Sequence, residues 1–419
     1  MTPCRTLMAL AASVIALLPM RAQAQDSQPE KESTDGRRVL WNNGMEIRFE
    51  DGFGRLQLGT LLQADGRLAA DDPLHAVNGT FAPRRVRLLA QGAAGKYIEF
   101  RLLPDFATGS AVWFDAYLDL RLSQSVRVRV GRDKMPVGLE QSIPDFAILF
   151  PERSLVTNLV PNRSTGVQVQ GDFLTGRVSY VGGAFASVPD AAKPDAQGHD
   201  GADLAGRVVL RPFKKGARAV LRGASFALGA ATGSARGTLP TYKTAALQTW
   251  FVYAAGASAS GARLRLSPSA SYYYKGLGAF AEYARTTQIV GNATSTADIT
   301  NTAWGVSGSW VVTGEAVTER GVTPRSAEGS ARREWGALQL IARHSWLAAD
   351  PTAFIAGLAG SQSSQTASAT GIGLAWYSDP HIKYVLTFER TAFGGLGTKP
   401  RYPEHAIVFR MQLNLQPNP

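Results

Sequence analysis

Apolar and polar residues alternate along this chain. Residues 56–65 (LQLGTLLQAD), 117–122 (YLDLRL) and 126–132 (VRVRVGR) repeat at the period of two that sends successive side chains of a β-strand to opposite faces. The same alternation returns at 167–171 (VQVQG), 176–183 (GRVSYVGG), 263–269 (RLRLSPS), 304–312 (WGVSGSWVV), 382–390 (IKYVLTFER) and 407–415 (IVFRMQLNL). Helical periodicity is hard to find. After residue 24 no run approaches the roughly 18 apolar residues that a transmembrane helix needs. The pattern predicts an all-β chain.

The connections between these segments come in two kinds. Some are a few residues; others are long and polar, at 187–203, 290–301, 315–334 and 357–371. Alternation of short turns with long loops is the organisation of outer-membrane barrels, with turns on the periplasmic side and loops outside. The expected fold is therefore a transmembrane antiparallel β-barrel of about 16 strands, since strands of about 9–11 residues plus connections fill the chain that remains after a leader is removed. Aromatic residues near strand ends (Trp250, Tyr253, Trp304, Trp310, Trp346, Trp376 and Tyr377) are candidates for the girdles at the membrane interfaces. A periplasmic β-sandwich would also alternate; the strand number, the two loop lengths and these aromatics favour the barrel.

Strand parity then gives the arginines a side. In FAPRRVRLLAQG (81–92) the face carrying Val86, Leu88 and Ala90 can meet lipid, which turns Arg85 and Arg87 the other way. Outward Val126, Val128 and Val130 turn Arg127 and Arg129 inward; outward Leu118, Leu120 and Leu122 turn Tyr117, Asp119 and Arg121 inward. The same holds for Arg263 and Arg265 beside Leu264 and Leu266, and for Arg410 beside Phe409 and Met411. An arginine on the lipid face at the midplane costs roughly 2–4 kcal/mol, whereas a water-filled lumen receives it freely. Arg84 shares the parity of Val86, so only a bulge or a loop entry would aim it inward. The arginines are predicted to line a channel.

Composition and charge agree. The formal charge is +11. Arg5, the apolar run 7–18 (LMALAASVIALL) and Ala22-Gln23-Ala24 read as a signal peptide over 1–24, whose removal takes two arginines, and the only cysteine, Cys4, with it. The expected organisation is a signal peptide (1–24), a flexible polar leader (25–43) and one barrel domain (44–419) in the cell outer membrane. A basic excess also suits nucleic acid, but aromatic–basic stacking motifs are not visible and an exported chain would rarely meet that partner. No cofactor or metal site is expected. The histidines (His75, His199, His344, His381, His405) are scattered without H-E-x-x-H spacing, and G-x-S-x-G is lacking. GAAGK (92–96) lacks the spacing and the following Ser/Thr of a phosphate loop. The expectation is a channel and no enzyme, with a loop-mediated adhesin or receptor, or a non-selective porin, as the alternatives.

Eight segments carry a closer likeness: LQLGTLLQADGR (56–67), PRRVRL (83–88), FDAYLDL (114–120), VRVGRDKMPVGLE (128–140), ERSL (152–155), STGVQVQG (164–171), SWVVTGE (309–315) and FRMQL (409–413). In this order they resemble the phosphate-selective porins O and P of Gram-negative outer membranes. The resemblance implies a 16-stranded barrel, a homotrimer, and passive diffusion of inorganic, phosphate-like anions through an arginine-lined constriction. Position by position it carries the family's arginine pair to Arg84 and Arg85, its acidic pore residue to Asp115, and one lysine of its basic ladder to Lys96. Parity adds Arg87, Arg127 and Arg129 to that set of pore residues. Two positions depart: Leu61 and Gln141 stand where phosphate-specific members have an arginine and a lysine.

Two more features are expected to matter. Residues 133–163, rich in proline (Pro136, Pro144, Pro151, Pro161) and poor in strand pattern, are predicted to contribute a loop folded into the lumen. The chain also closes on Gln-Pro-Asn-Pro after Leu415, where barrel proteins usually end their last strand on an aromatic residue.

Overall fold

The computed structural model describes residues 37–41, 44–49, 54–70, 78–190, 199–215, 218–324, 335–397 and 401–416. The predicted signal peptide and most of the predicted leader lie outside these. Two strands form an N-terminal hairpin, β1 (Arg37–Trp41) and β2 (Met45–Phe49). Within the range read as leader, residues 37–41 are therefore a paired strand. The following strands are β3 (Gly54–Ala70), β4 (Asn78–Ala94), β5 (Ile98–Asp105), β6 (Val112–Arg121), β7 (Arg127–Lys134), β8 (Arg163–Phe173), β9 (Val178–Ser187), β10 (His199–Leu210) and β11 (Ala224–Gly237). A short pair, β12 (Tyr242–Lys243) and β13 (Thr249–Phe251), precedes β14 (Ser258–Tyr274), β15 (Leu277–Gly291) and β16 (Thr296–Val311). A second short pair, β17 (Val317–Thr318) and β18 (Gly321–Val322), precedes β19 (Ala337–Ala348), β20 (Thr366–Tyr377), β21 (Ile382–Gly394) and β22 (Glu404–Asn414).

Leaving out β1, β2 and the two short pairs, sixteen strands form a closed antiparallel barrel. β22 closes it against β3, from His405 opposite Ala70 to Asn414 opposite Leu61. Where β22 stops, β2 takes over the same edge of β3, with Met45 opposite Leu58 and Arg48 opposite Arg55. The ring thereby satisfies backbone groups that lipid could not. Parity holds along it: Leu88, Leu118, Leu120, Val130, Leu264 and Met411 are exposed on the outside, while Arg85, Arg87, Asp119, Arg263, Arg265 and Arg410 are buried on the inside.

The connections differ in part from expectation. Residues 95–97, 122–126, 174–177, 275–276 and 378–381 make short turns at one end, the periplasmic one by the usual orientation. The predicted long loop at 290–301 is mostly strand, because β15 and β16 extend until only 292–295 connect them. The connection containing 315–324 departs in the other direction: it sits at the short-turn end, and β17–β18 enters the barrel there. Val317 and Val322 join Phe150, Val311, Ile341, Tyr377 and Val385 in one buried apolar cluster. Tyr377 is thus an interior residue, not part of a girdle. Trp250 and Tyr253 are also interior, packed with Tyr242 and Phe251 at the long-loop end. Trp304 and Trp310 do face outward, and Trp376 stacks on Tyr384, as girdle residues would.

Candidate functional site

Between β7 and β8 the chain leaves the wall for residues 135–162 and crosses the lumen. Proline at 136, 144, 151 and 161 explains why: each removes a ladder donor, so this segment bonds to the wall through side chains instead. A single turn of helix, Leu139–Ser142, is pinned by Glu282 of β15, whose two carboxylate oxygens accept the Leu139 and Glu140 amides at 2.8 Å each. Glu140 in turn accepts from the Ser154 amide and hydroxyl. Further on, Gln63 and Gln412 donate to the carbonyls of Asp145 and Phe146, Lys383 to that of Ile148, and Arg410 to that of Pro151. The loop predicted to narrow the lumen does lie inside it, tied to strands on opposite sides.

This loop and the β3–β8 wall, with Lys243, Thr244 and Leu247 at the long-loop end and Gln416 at the other, border two chambers, of about 700 Å³ towards the long loops and about 270 Å³ towards the turns. Arg87, Asp145 and Arg163 line both, so they mark the junction. Arg87 reaches Asp105 at 2.8 Å and also Asp145. Asp145 is held further by Arg153 at 2.7 Å and by Arg85 at 3.6 Å. Arg163 bonds Asp115 at 2.8 Å, and Arg101 approaches the same carboxylate at 3.2 Å. Phe114 supports both junction arginines with its ring, Arg87 at 3.9 Å and Arg163 at 4.7 Å from the centroid. A guanidinium stacked on an aromatic face keeps its forked donors edge-on to the channel.

The predicted pore residues divide accordingly. Arg84 faces the larger chamber because of a bulge: Gln63 pairs with Arg85 and Ala64 with Pro83, leaving Arg84 as the extra residue. It bonds Glu152 at 2.6 Å. Arg85, Arg87, Asp115 and Arg129 all line the chambers. Arg129 stacks on Tyr117 and pairs with Asp119 and Asp133. Arg127 lies nearer the turns, 3.5 Å from Asp119, and lines neither chamber. Lys96 is not brought to the junction; it sits exposed in the 95–97 turn, because the strand before it ends at Ala94. The two departures do fall in the chambers, Leu61 in the smaller and Gln141 in the larger.

Sequence reasoning missed Asp145, Arg153, Arg163, Lys134 and Phe114. Period-two parity has no purchase on a loop, which hid Asp145 and Arg153. Phe114 and Asp115 both face inward because the β5–β6 register shifts between Leu103 and Pro104. Asp115 keeps the inward parity of Tyr117 and Asp119, and parity fails at Phe114, the extra residue of the shift. Electrostatically, burial opposes the charged form of Asp145, but Arg153, Arg87 and Arg85 outweigh it and hold the carboxyl well below the usual range. Glu152 behaves alike, with Arg84 and Arg85 overcoming its burial. Both loop carboxylates are ionised at neutral pH.

The geometry of a charged lumen in a closed barrel agrees with the chain's relatives. The residue profile of the phosphate-selective porin O and P family matches positions 56–415. This chain belongs to that family. It is an outer-membrane porin. No curated protein matches it in sequence. Among solved structures, it is similar to an anion-selective porin from Comamonas acidovorans, with 12% identity, a TM-score of 0.52, and coverage of 86% of this chain and 99% of that one. The outer membrane channel DcaP of Acinetobacter baumannii follows at 10% identity and a TM-score of 0.56, covering 86% and 97%. OmpT of Vibrio cholerae, in its trimer form, has 8% identity and a TM-score of 0.51, covering 86% and 99%. At such identities these likenesses establish the fold.

Proposed function

We propose that this porin is a passive, anion-selective channel whose solutes, phosphate-like oxyanions among them, pass the junction of the two chambers. The observation that carries the reading is the charge balance there. Nine cationic and five acidic side chains line the two chambers, a formal excess of four positive charges on low-dielectric walls. Such an excess concentrates anions and repels cations. Guanidinium forks match the oxygens of phosphate and carboxylate. With Leu61 and Gln141 in place of two cations, the site passes oxyanions without holding phosphate tightly. Conduction itself favours moderate sites over a deep trap. The reading assigns diffusion and no chemical step to the chain, and a homotrimeric assembly like the trimer form of the Vibrio protein.

A specific observation supports a second reading, a general porin of weak selectivity: Arg84, Arg85, Arg87, Arg101, Arg153 and Arg163 each have a carboxylate within 4 Å. The reversal potential in a potassium chloride gradient, measured on the refolded protein in a planar bilayer, separates the two. Anion selectivity is expected; a potential near zero would favour the general porin. Adding phosphate to the same bilayer gives the second readout, for which weak block of the chloride current is expected.

A further inference from the structure

Asp145 occupies an unusual place for an acid in a cationic pore. Among the described residues it is the only carboxylate common to both chambers, it stands at their junction, and its side chain is 4% exposed. One of its oxygens meets Arg153 at 2.7 Å and lies 3.6 Å from Arg85, while the other accepts from Arg87. Arg163 and Lys134 line the smaller chamber beside it. A planar carboxylate held by three guanidinium groups is the arrangement that a bound carboxylate or phosphate would adopt in this cage. Asp145 also belongs to the loop rather than to the wall, so its backbone is held by a few side-chain bonds instead of a strand ladder.

We infer that Asp145 is a built-in counter-anion that sets the ceiling on oxyanion affinity: it fills the guanidinium cage, and a permeating oxyanion must compete with it. The inference rests on the anion-channel reading above and names the residue that limits binding within it. Its consequence is specific. Neutralising Asp145 leaves Arg85, Arg87 and Arg153 with their donors directed at a common point and no carboxylate between them. A free oxyanion can then replace the missing charge, and a transit site becomes a binding site.

The test is phosphate block of chloride current in wild type, D145N and D145E, each reconstituted as the full barrel. Wild-type reversal potential comes first, because a channel without anion selectivity would overturn the underlying reading. Given an anion-selective wild type, D145N is expected to be blocked by phosphate at concentrations at least about tenfold lower, with D145E close to wild type. Unchanged phosphate sensitivity in D145N would overturn the inference while leaving the anion channel standing. Equal sensitisation of D145N and D145E would overturn it too, since the effect would then come from displacing the loop and not from removing the charge.

Discussion

The two halves of this lumen have the same backbone architecture and opposite contents. On the β3–β8 wall the inward residues are large and charged, among them Arg85, Arg87, Arg101, Asp115, Asp119 and Arg129, and the space before them is open. On the wall from β15 to β20 many inward positions are small: Ala284, Ala303, Gly305, Ala367, Ala369 and Gly371. There the in-folded loop fills the room with Leu155, Val156, Leu159 and Val160. A Cβ added at Gly305 would stand 3.1 Å from Val156, and one at Gly371 would stand 2.9 Å from Phe150. Side-chain volume, on walls of equal pleat, decides which half of the lumen stays open. The pore is off-centre because the loop is drawn to the half that has space for it.

The heaviest blow to that asymmetry is removal of residues 143–150. Conductance is then expected to rise several-fold and anion selectivity to fall, because the chambers lose a wall and the arginines no longer face a narrow passage, which outweighs the loss of the Asp145 charge. Unchanged single-channel conductance would mean that the loop does not set the narrow point.

Overfilling the packed half is the next test. Gly305→Leu forces its side chain into Val156 and Ser345, and overpacking of this kind costs typically 1–3 kcal/mol. The expected outcome is a lower unfolding temperature together with noisier open-channel current. A quiet, wild-type current would show that the loop does not depend on the small residues beneath it.

On the open wall, Arg87→Gln removes the cation that touches both Asp105 and Asp145. Asp145 keeps Arg153 and Arg85, but Asp105 loses its arginine; stranding that carboxylate costs on the order of 3 kcal/mol, and the anion-to-cation permeability ratio is expected to drop. Glu282→Ala acts from the filled side by depriving two buried amides of their acceptor, a loss of about 1–3 kcal/mol. It should loosen the loop and broaden the distribution of conductance levels without changing the sign of selectivity.

The smallest expected effect is that of pH. Asp145 and Glu152 have depressed folded-state pKa values, so their stabilising contribution is fully present above the ordinary carboxylate pKa near 4 and is lost only as pH falls through the lower folded values. Reversal potential should therefore stay flat from pH 7 down to about pH 4. A shift centred at pH 5 that D145N or E152Q abolishes would mean that the loop carboxylates are not held by the arginines around them.

Two devices show why part of the site was out of reach of pattern reading. Alternation assigned Arg85, Arg87 and Arg129 to the lumen because period two is a property of the strand itself. Arg84 turns inward only through the bulge opposite Gln63 and Ala64, a register event between two strands that neither strand's own pattern encodes. The 290–301 segment misled for a different reason: VGNATSTADITN is polar enough for a loop, yet Val290 and Ile299 turn inward into a buried apolar cluster with Ala353 and Leu358, and Asn301 bonds Tyr242 and Tyr253, so the flanking strands extend to a turn at 292–295. The opposite happened at Trp250 and Tyr377, aromatics whose positions near strand ends suited a girdle but whose rings are buried inside.

What the sequence determined by itself was the class of the molecule: an antiparallel barrel, a lumen lined by arginine, a proline-rich segment unable to join the wall, and family membership. Those follow from local rules, since side-chain parity and proline's missing donor act within a few residues. Only the tertiary structure decided which charges meet. Asp145 lies 58 residues from Arg87 along the chain, and Glu282 lies 143 from the amide it caps. Such pairings arise when barrel closure and the loop's crossing bring distant segments together, and no local periodicity records them.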